Sequence, residues 1–281
     1  IGIAPKELVP LSPGIVAEAA KQALRCASKP STVLVLHSDS LREARSVAQV
    51  IAESLGLKGL FIDGAAPAGL APLIVMHELL PVFVTRGGPS ETFTLPVIPS
   101  FSGAQIVLAL NEGSVDVPSG QHRTWKIPIP SQAERISLWE DQLGDRELSE
   151  RLGRGYRQSC GRIVEVLEVA EGVAASEGRE RPTSDDLEAA ILADTNISGL
   201  ERLAIPVKAR VPDDALVLED RLRKDLELLV IRCRYRESLA DDLGTTSKIR
   251  YRPGIRVLFA GRSGTGKTLA VSWLATKLGY P

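Results

Sequence analysis

At 281 residues, with 34 Lys and Arg against 35 Asp and Glu, the chain carries a net charge of −1. It has room for two α/β domains and no global field drawing it to nucleic acid or an anionic membrane. Three cysteines, Cys26, Cys160 and Cys233, match no zinc or redox spacing, which fits buried thiols in a reducing, cytoplasmic setting, and no signal peptide is visible. The most apolar stretch, Leu70 to Val84, is broken by Pro72, His77, Glu78 and Pro81, which excludes a membrane span there.

Ser12-Pro13 starts a helix over Ile15 to Ala27 that Lys29-Pro30 ends. Thr32 to Leu36 reads as a buried strand. The next helix puts Leu41, Ala44, Val47, Ala48, Ile51 and Leu55 on one face and stops at Gly56. Leu60 to Ile62, Pro81 to Thr85 and Gln105 to Leu110 follow as strands. Trp125 to Ile129 is expected as an edge strand, because Pro128 cannot donate to a ladder. Strands alternating with helices predict a parallel sheet.

From Ser131 the pattern turns helical. Ser131-Gln-Ala-Glu134 is a capping box, and further helices are expected over Gly161 to Ala175 and Asp185 to Ala193. Asp213-Asp214 are placed to charge a helix N-terminus, and Leu216 to Leu243 is expected as one long helix with Leu218, Leu222, Leu226, Leu229 and Cys233 on one side. A polar loop, Gly244 to Arg252, then leads through Pro253-Gly254 into a short apolar strand, Ile255 to Ala260. A last helix with Leu269, Ala270, Trp273, Leu274 and Leu278 at helical spacing follows, closed by Gly279.

Between that strand and that helix stands Gly261-Arg-Ser-Gly-Thr-Gly-Lys-Thr268, a match to the phosphate-cradling pattern G-x-x-x-x-G-K-[ST]. Gly261, Gly264 and Gly266 let successive N–H groups point at phosphate oxygens, and the helix N-terminus adds its partial positive charge. Lys267 is the catalytic candidate, neutralising the β- and γ-phosphates, and Thr268 is the candidate magnesium ligand. The binding segment for ATP and Mg2+ is therefore Gly261, Arg262, Ser263, Gly264, Thr265, Gly266, Lys267, Thr268 and Leu269. His37, His77 and His122 lie far apart without metal-ligand spacing, and Arg232-Cys-Arg-Tyr-Arg236 alternates around a helix, so neither predicts a site.

A three-layer core, a helical lid, a helix, a loop and then LFAGRSGTGKT resemble the AAA+ ATPases. More closely, the chain resembles the bacterial proteins with two AAA modules in one chain, the first degenerate, that accompany phage-tail-like contractile injection systems. The resemblance implies an α/β fold: a P-loop NTPase-like parallel sheet forming a degenerate AAA module over 1–130 and a helical lid over 131–200. The linker helix with the first strand, P-loop and helix of a second AAA module then takes 201–281. In the first module the P-loop equivalent reads His37-Ser-Asp-Ser40-Leu-Arg-Glu-Ala44, with no glycine or lysine, and Arg86-Gly-Gly88 stands where an acidic pair is expected. The resemblance places Asn111 at the polar sensor and Arg162 at the second sensor arginine, both read as relics, Arg162 as a solvated side chain. It also places Leu216 and Val217 along the adenine pocket.

The implied function is ATP hydrolysis coupled to remodelling or assembly of a protein complex. The expected assembly is a homo-oligomeric ring in which neighbours supply an arginine finger. The alternatives are a nucleic-acid-associated P-loop motor and a non-hydrolysing nucleotide-binding scaffold. The chain opens with Ile1, Met76 is its only methionine, and no strand that would carry the acidic residues for hydrolysis follows the P-loop. The expectation is a piece of a longer protein, inactive as an ATPase by itself, in which Leu258, Phe259, Trp273 and Leu274 stay exposed, pack on the linker helix, or add to the first module's sheet.

Overall fold

The computed structural model describes residues 2, 8–28, 31–67, 69–85, 91–110, 113–118, 122–194, 210–236 and 255–278. The chain divides into two compact units, one of residues 1–144 with 157–165 and the other of residues 145–156 with 166–281.

The first unit is built on a five-stranded parallel sheet of β1 (Val33–Ser38), β2 (Lys58–Asp63), β3 (Leu79–Val84), β5 (Gln105–Leu110) and β7 (His122–Lys126), in the order β2-β3-β5-β1-β7. A later strand, β5, is inserted between β1 and β3, which makes this a P-loop NTPase-like α/β sheet. β1 takes an interior place between β5 and β7 because it can: Val33, Leu34, Val35 and Leu36 are all buried, so both faces suit a covered position. Val33, Val35, Leu60, Phe83 and Val107 form one face of the core with α3 (Leu70–Met76). Leu34, Leu36, Ile106 and Leu108, one residue out of step, are buried on the other face, where α2 (Leu41–Ser54) lies across the strands with α1 (Pro13–Ala27) beside it. Each such side chain contributes about 1.5–3 kcal/mol on burial.

Several local signals act as expected. Pro13 sits in the first turn of α1 behind the Ser12 N-cap, and Ser131 and Glu134 close a reciprocal capping box at the start of α4 (Gln132–Leu143). The Glu134 carboxylate also accepts from Gly14 N–H at 2.9 Å.

The edge strand differs from expectation. β7 runs three residues earlier than Trp125 to Ile129, pairing Val33 with His122 through His37 with Lys126. Its ladder closes with Ile127 N–H donating to His37 O at 2.8 Å, so Pro128, which has no N–H, falls just beyond it. Two three-residue strands, β4 (Thr92–Thr94) and β6 (Ser114–Asp116), form a separate small parallel sheet.

The second unit is helical: α5 (Arg146–Gly155), the later turns of α6 (Cys160–Ser176), α7 (Ser184–Asp194), α8 (Asp220–Arg234) and α9 (Lys267–Leu278). α7 begins with Thr183 and Asp186 capping each other, and the Arg179 guanidinium with the Thr183 N–H holds the Asp186 carboxyl well below the usual carboxylate range. The long helix expected from Leu216 starts only at Asp220. Arg223 takes the Leu216 carbonyl at 2.6 Å, and Glu219 is extended at the N-cap. The buried stripe of α8 centres on Leu226 and Val230, with Leu222 half exposed.

Ile255 to Ala260, expected as a strand, carries no ladder hydrogen bonds among the described residues. Leu258 is 89% exposed, whereas Phe259 and Leu274 pack with buried Trp273 against α8 residues. The linker-helix alternative is the one the chain adopts for these three side chains. Gly244 to Arg252, Pro253-Gly254 and Gly279 lie outside the described residues.

Candidate nucleotide site

The segment Gly261 to Thr268 forms an exposed loop that turns directly into α9 at Lys267. Gly264 (φ 80°) and Gly266 (φ 76°) occupy the left-handed region, a conformation that only glycine adopts at little cost. The Thr265 hydroxyl donates to Arg262 O at 2.8 Å, closing the loop on itself, and Ala270 N–H reaches Gly266 O to start the helix. The Lys267 ammonium folds back over the loop and donates to the carbonyls of Gly261 (3.0 Å) and Arg262 (2.6 Å). Thr268 and Leu269 face solvent on the first turn.

The helix behind the loop is tied down from both sides. Trp273, 2% exposed, donates its indole N–H to Asp213 Oδ1 at 2.8 Å, and Lys277 donates to Asp213 Oδ2 at 2.7 Å. Val211 N–H donates to the Thr276 hydroxyl oxygen, and the Arg234 guanidinium donates to the Lys277 carbonyl. The Lys277 ammonium, with the Trp273 indole, holds the Asp213 carboxyl below its ordinary pKa. Asp213 therefore serves as a cross-link to α9 rather than only charging a helix start. Of the adenine-pocket pair, Leu216 is buried in this cluster and Val217 is 90% exposed.

The corresponding position of the first unit, at the end of β1, is filled by protein. Glu43, in the first turn of α2 and 1% exposed, accepts from the Ser38 hydroxyl at 2.6 Å and from Cys160 N–H, the first residue of α6, at 2.9 Å. Ser40 caps α2 and donates its hydroxyl to Glu165 at 2.7 Å, and Arg162 pairs with the other Glu165 oxygen at 2.8 Å. Arg162 is thus not a solvated side chain: the side chain is about a fifth exposed and its guanidinium is engaged by Glu165 three residues on. The Cys160 thiol, pushed up to about 12 by burial and by the Glu43 carboxylate beside it, is no nucleophile at neutral pH. His37 is bonded through Nδ1 to the Leu110 carbonyl. Asn111 and Arg86-Gly-Gly88 lie outside the described residues.

Ser40 and Glu43 have the S-x-x-E spacing of a capping box at the start of α2. Its carboxylate, however, turns inward instead of back to the Ser40 amide. Burial pushes the Glu43 carboxyl above its ordinary value of 4.5. A raised folded-state pKa means that the stability this group contributes is full below about 4.5 and is lost as pH rises through the shifted value. In chemical denaturation across that window, the wild type should lose ground steadily to Glu43→Gln as pH rises. A constant difference between the two would contradict the assignment.

Among the described residues no three His, Cys, Asp or Glu side chains gather into a metal site, and no helix is long and apolar enough to cross a membrane. No protein-family model matches the chain, and no curated protein matches it. Among solved structures, the Aeropyrum pernix ORC2 protein in its ADPNP–ADP complexes is similar at 12% identity over 72% of each chain, with a TM-score of 0.43. Its ADP form is similar at 12% identity over 98% of this chain and 88% of that one, with a TM-score of 0.41.

Proposed function

We propose that the chain binds ATP through residues 261–269 and belongs to an AAA+ type ATPase whose first module has given up nucleotide. The observation that carries this reading is the loop itself: two left-handed glycines, an ammonium held at the loop mouth by two carbonyl oxygens, and a helix N-terminus behind them. Lys267 is free to exchange those carbonyls for phosphate oxygens, since both contacts are exposed. The loop N–H groups supply further donors, and the exposed Thr268 hydroxyl offers one oxygen to a magnesium ion whose other ligands are phosphate and water. Bound in that way, ATP brings a phosphoanhydride poised for phosphoryl transfer.

The finer parts of the reading rest on the sequence resemblance: hydrolysis driving the remodelling or assembly of a protein complex, a homo-oligomeric ring, and the division at about residues 130 and 200. The likeness to injection-system ATPases rests on the order of the modules, the lid style, the helix ahead of the P-loop and the wording of the motif. A net charge of −1 favours a protein over a nucleic acid as the thing acted upon.

Calorimetry of the whole chain with ATP and magnesium tests the proposal. One site per chain is expected, because the β1 position is occupied by Glu43 and offers neither glycine nest nor lysine. Two sites would mean that residues 37–44 bind nucleotide after all. The absence of any site would remove the P-loop reading.

A further inference from the structure

The junction between the β1–α2 turn and the start of α6 is closed by side chains of the chain itself. The Glu43 carboxylate lies where two helix N-termini meet: it stands in the first turn of α2 and accepts the first N–H of α6. Both helix ends offer N–H donors and partial positive charge to the carboxyl oxygens, against the burial that pushes its pKa up. Ser38 donates to its second oxygen, and Ser38 Oγ in turn accepts from Ser40 N–H at 3.1 Å. A second strut runs from Ser40 to Glu165 to Arg162. Gly161 completes the fit, because a Cβ there would come within 2.5 Å of Ser40 Cβ.

We propose that Glu43 is an intramolecular stand-in for a bound anion, a clasp that holds the first turn of α6 against the β1–α2 turn with no ligand present. The proposal is independent of the P-loop reading, since it concerns only residues 38–43 and 160–165. Its consequence is that this junction does not open and close with nucleotide. The other charged or titratable groups at the clasp are Asp39, Arg162, Glu165 and the Cys160 thiol.

Hydrogen exchange of the full chain tests the clasp. Glu43→Ala is expected to raise exchange at the amides of 160–163 by about tenfold or more, the loss of a charge-assisted bond, while Val107 to Ala109 in β5 change little. Sodium formate, which supplies a free carboxylate to the vacated position, should restore protection in the variant and leave the wild type unaltered. Uniform loosening of 160–163 and β5 would make Glu43 an ordinary core residue, and no change at 160–163 would dismiss it altogether. If Glu43→Ala does not fold, the wild type with and without ATP and magnesium decides. Unchanged exchange at 160–163 is expected, and nucleotide-induced protection there would overturn the proposal.

Discussion

Lys267→Ala is expected to weaken ATP binding by roughly a hundredfold or more and to abolish turnover in the intact protein. The ammonium donates to the carbonyls of Gly261 and Arg262, the second of which also accepts from the Thr265 hydroxyl, and on the proposed reading it would turn to phosphate oxygens when ATP binds. A hydrogen bond to a charged group is worth about 1.5–3 kcal/mol, and two of them give a loss of that order. The fold should not suffer. Gly261 and Arg262 are exposed, so water replaces the ammonium at their carbonyls, and stability should stay within about 0.5 kcal/mol. Calorimetry with ATP, alongside urea denaturation, separates the two effects. An unaltered affinity would remove residues 261–269 from consideration as the nucleotide site.

Gly161→Ala should destabilise the first unit by about 1–3 kcal/mol, the cost of forcing volume into a packed contact. The added Cβ would lie 2.5 Å from Ser40 Cβ and 3.0 Å from Glu43 Cβ. Neither is the far end of a flexible side chain, so backbone has to yield. Helix propensity works in the opposite direction, favouring alanine by about 1 kcal/mol, and the sign is decided by the clash. Gly172, farther along the same helix, has nothing within 4 Å of its would-be Cβ. Gly172→Ala should therefore stabilise by about 0.5–1 kcal/mol, the propensity effect alone. Urea midpoints moving in the same direction for the two variants would show that Gly161 is not at a tight contact.

What could be read from residues alone follows the range of the interaction. Gln105 to Leu110 is a strand at the expected bounds, because the five apolar residues that follow Gln105 in a run need only a sheet around them. The Ser131 to Glu134 capping box formed because its partners are three residues apart. α5 was not anticipated: Arg-Glu-Leu-Ser-Glu-Arg-Leu-Gly-Arg-Gly offers two leucines and two glycines, and its Asp145 cap bonding Leu148 N–H is a weak signal without them. Strand bounds slipped where a distant ladder decided them, as at β7, whose start is set by Val33. The glycine loop and its turn into α9 at Lys267 were legible because that signal is local, whereas phosphate binding there remains the proposal. Glu43 was not, since its burial depends on an amide 117 positions along the chain.

That same dependence on distance governs how the first unit comes together during synthesis. β1 is the first strand to emerge, with nothing yet to pair with: Leu36 must wait about seventy residues for Leu108 and about ninety for Trp125 before either edge is satisfied. Until then Val33 to Leu36 is an apolar segment with both edges open, able to pair with the wrong strand or with another chain. β2 and β3 face a shorter wait, pairing with each other across α3 alone. A folding order in which β2–β3 forms first, and β5 then carries β1 into the gap, follows from the strand order. β1, an interior strand of the mature sheet, would be among the last to lose its freedom.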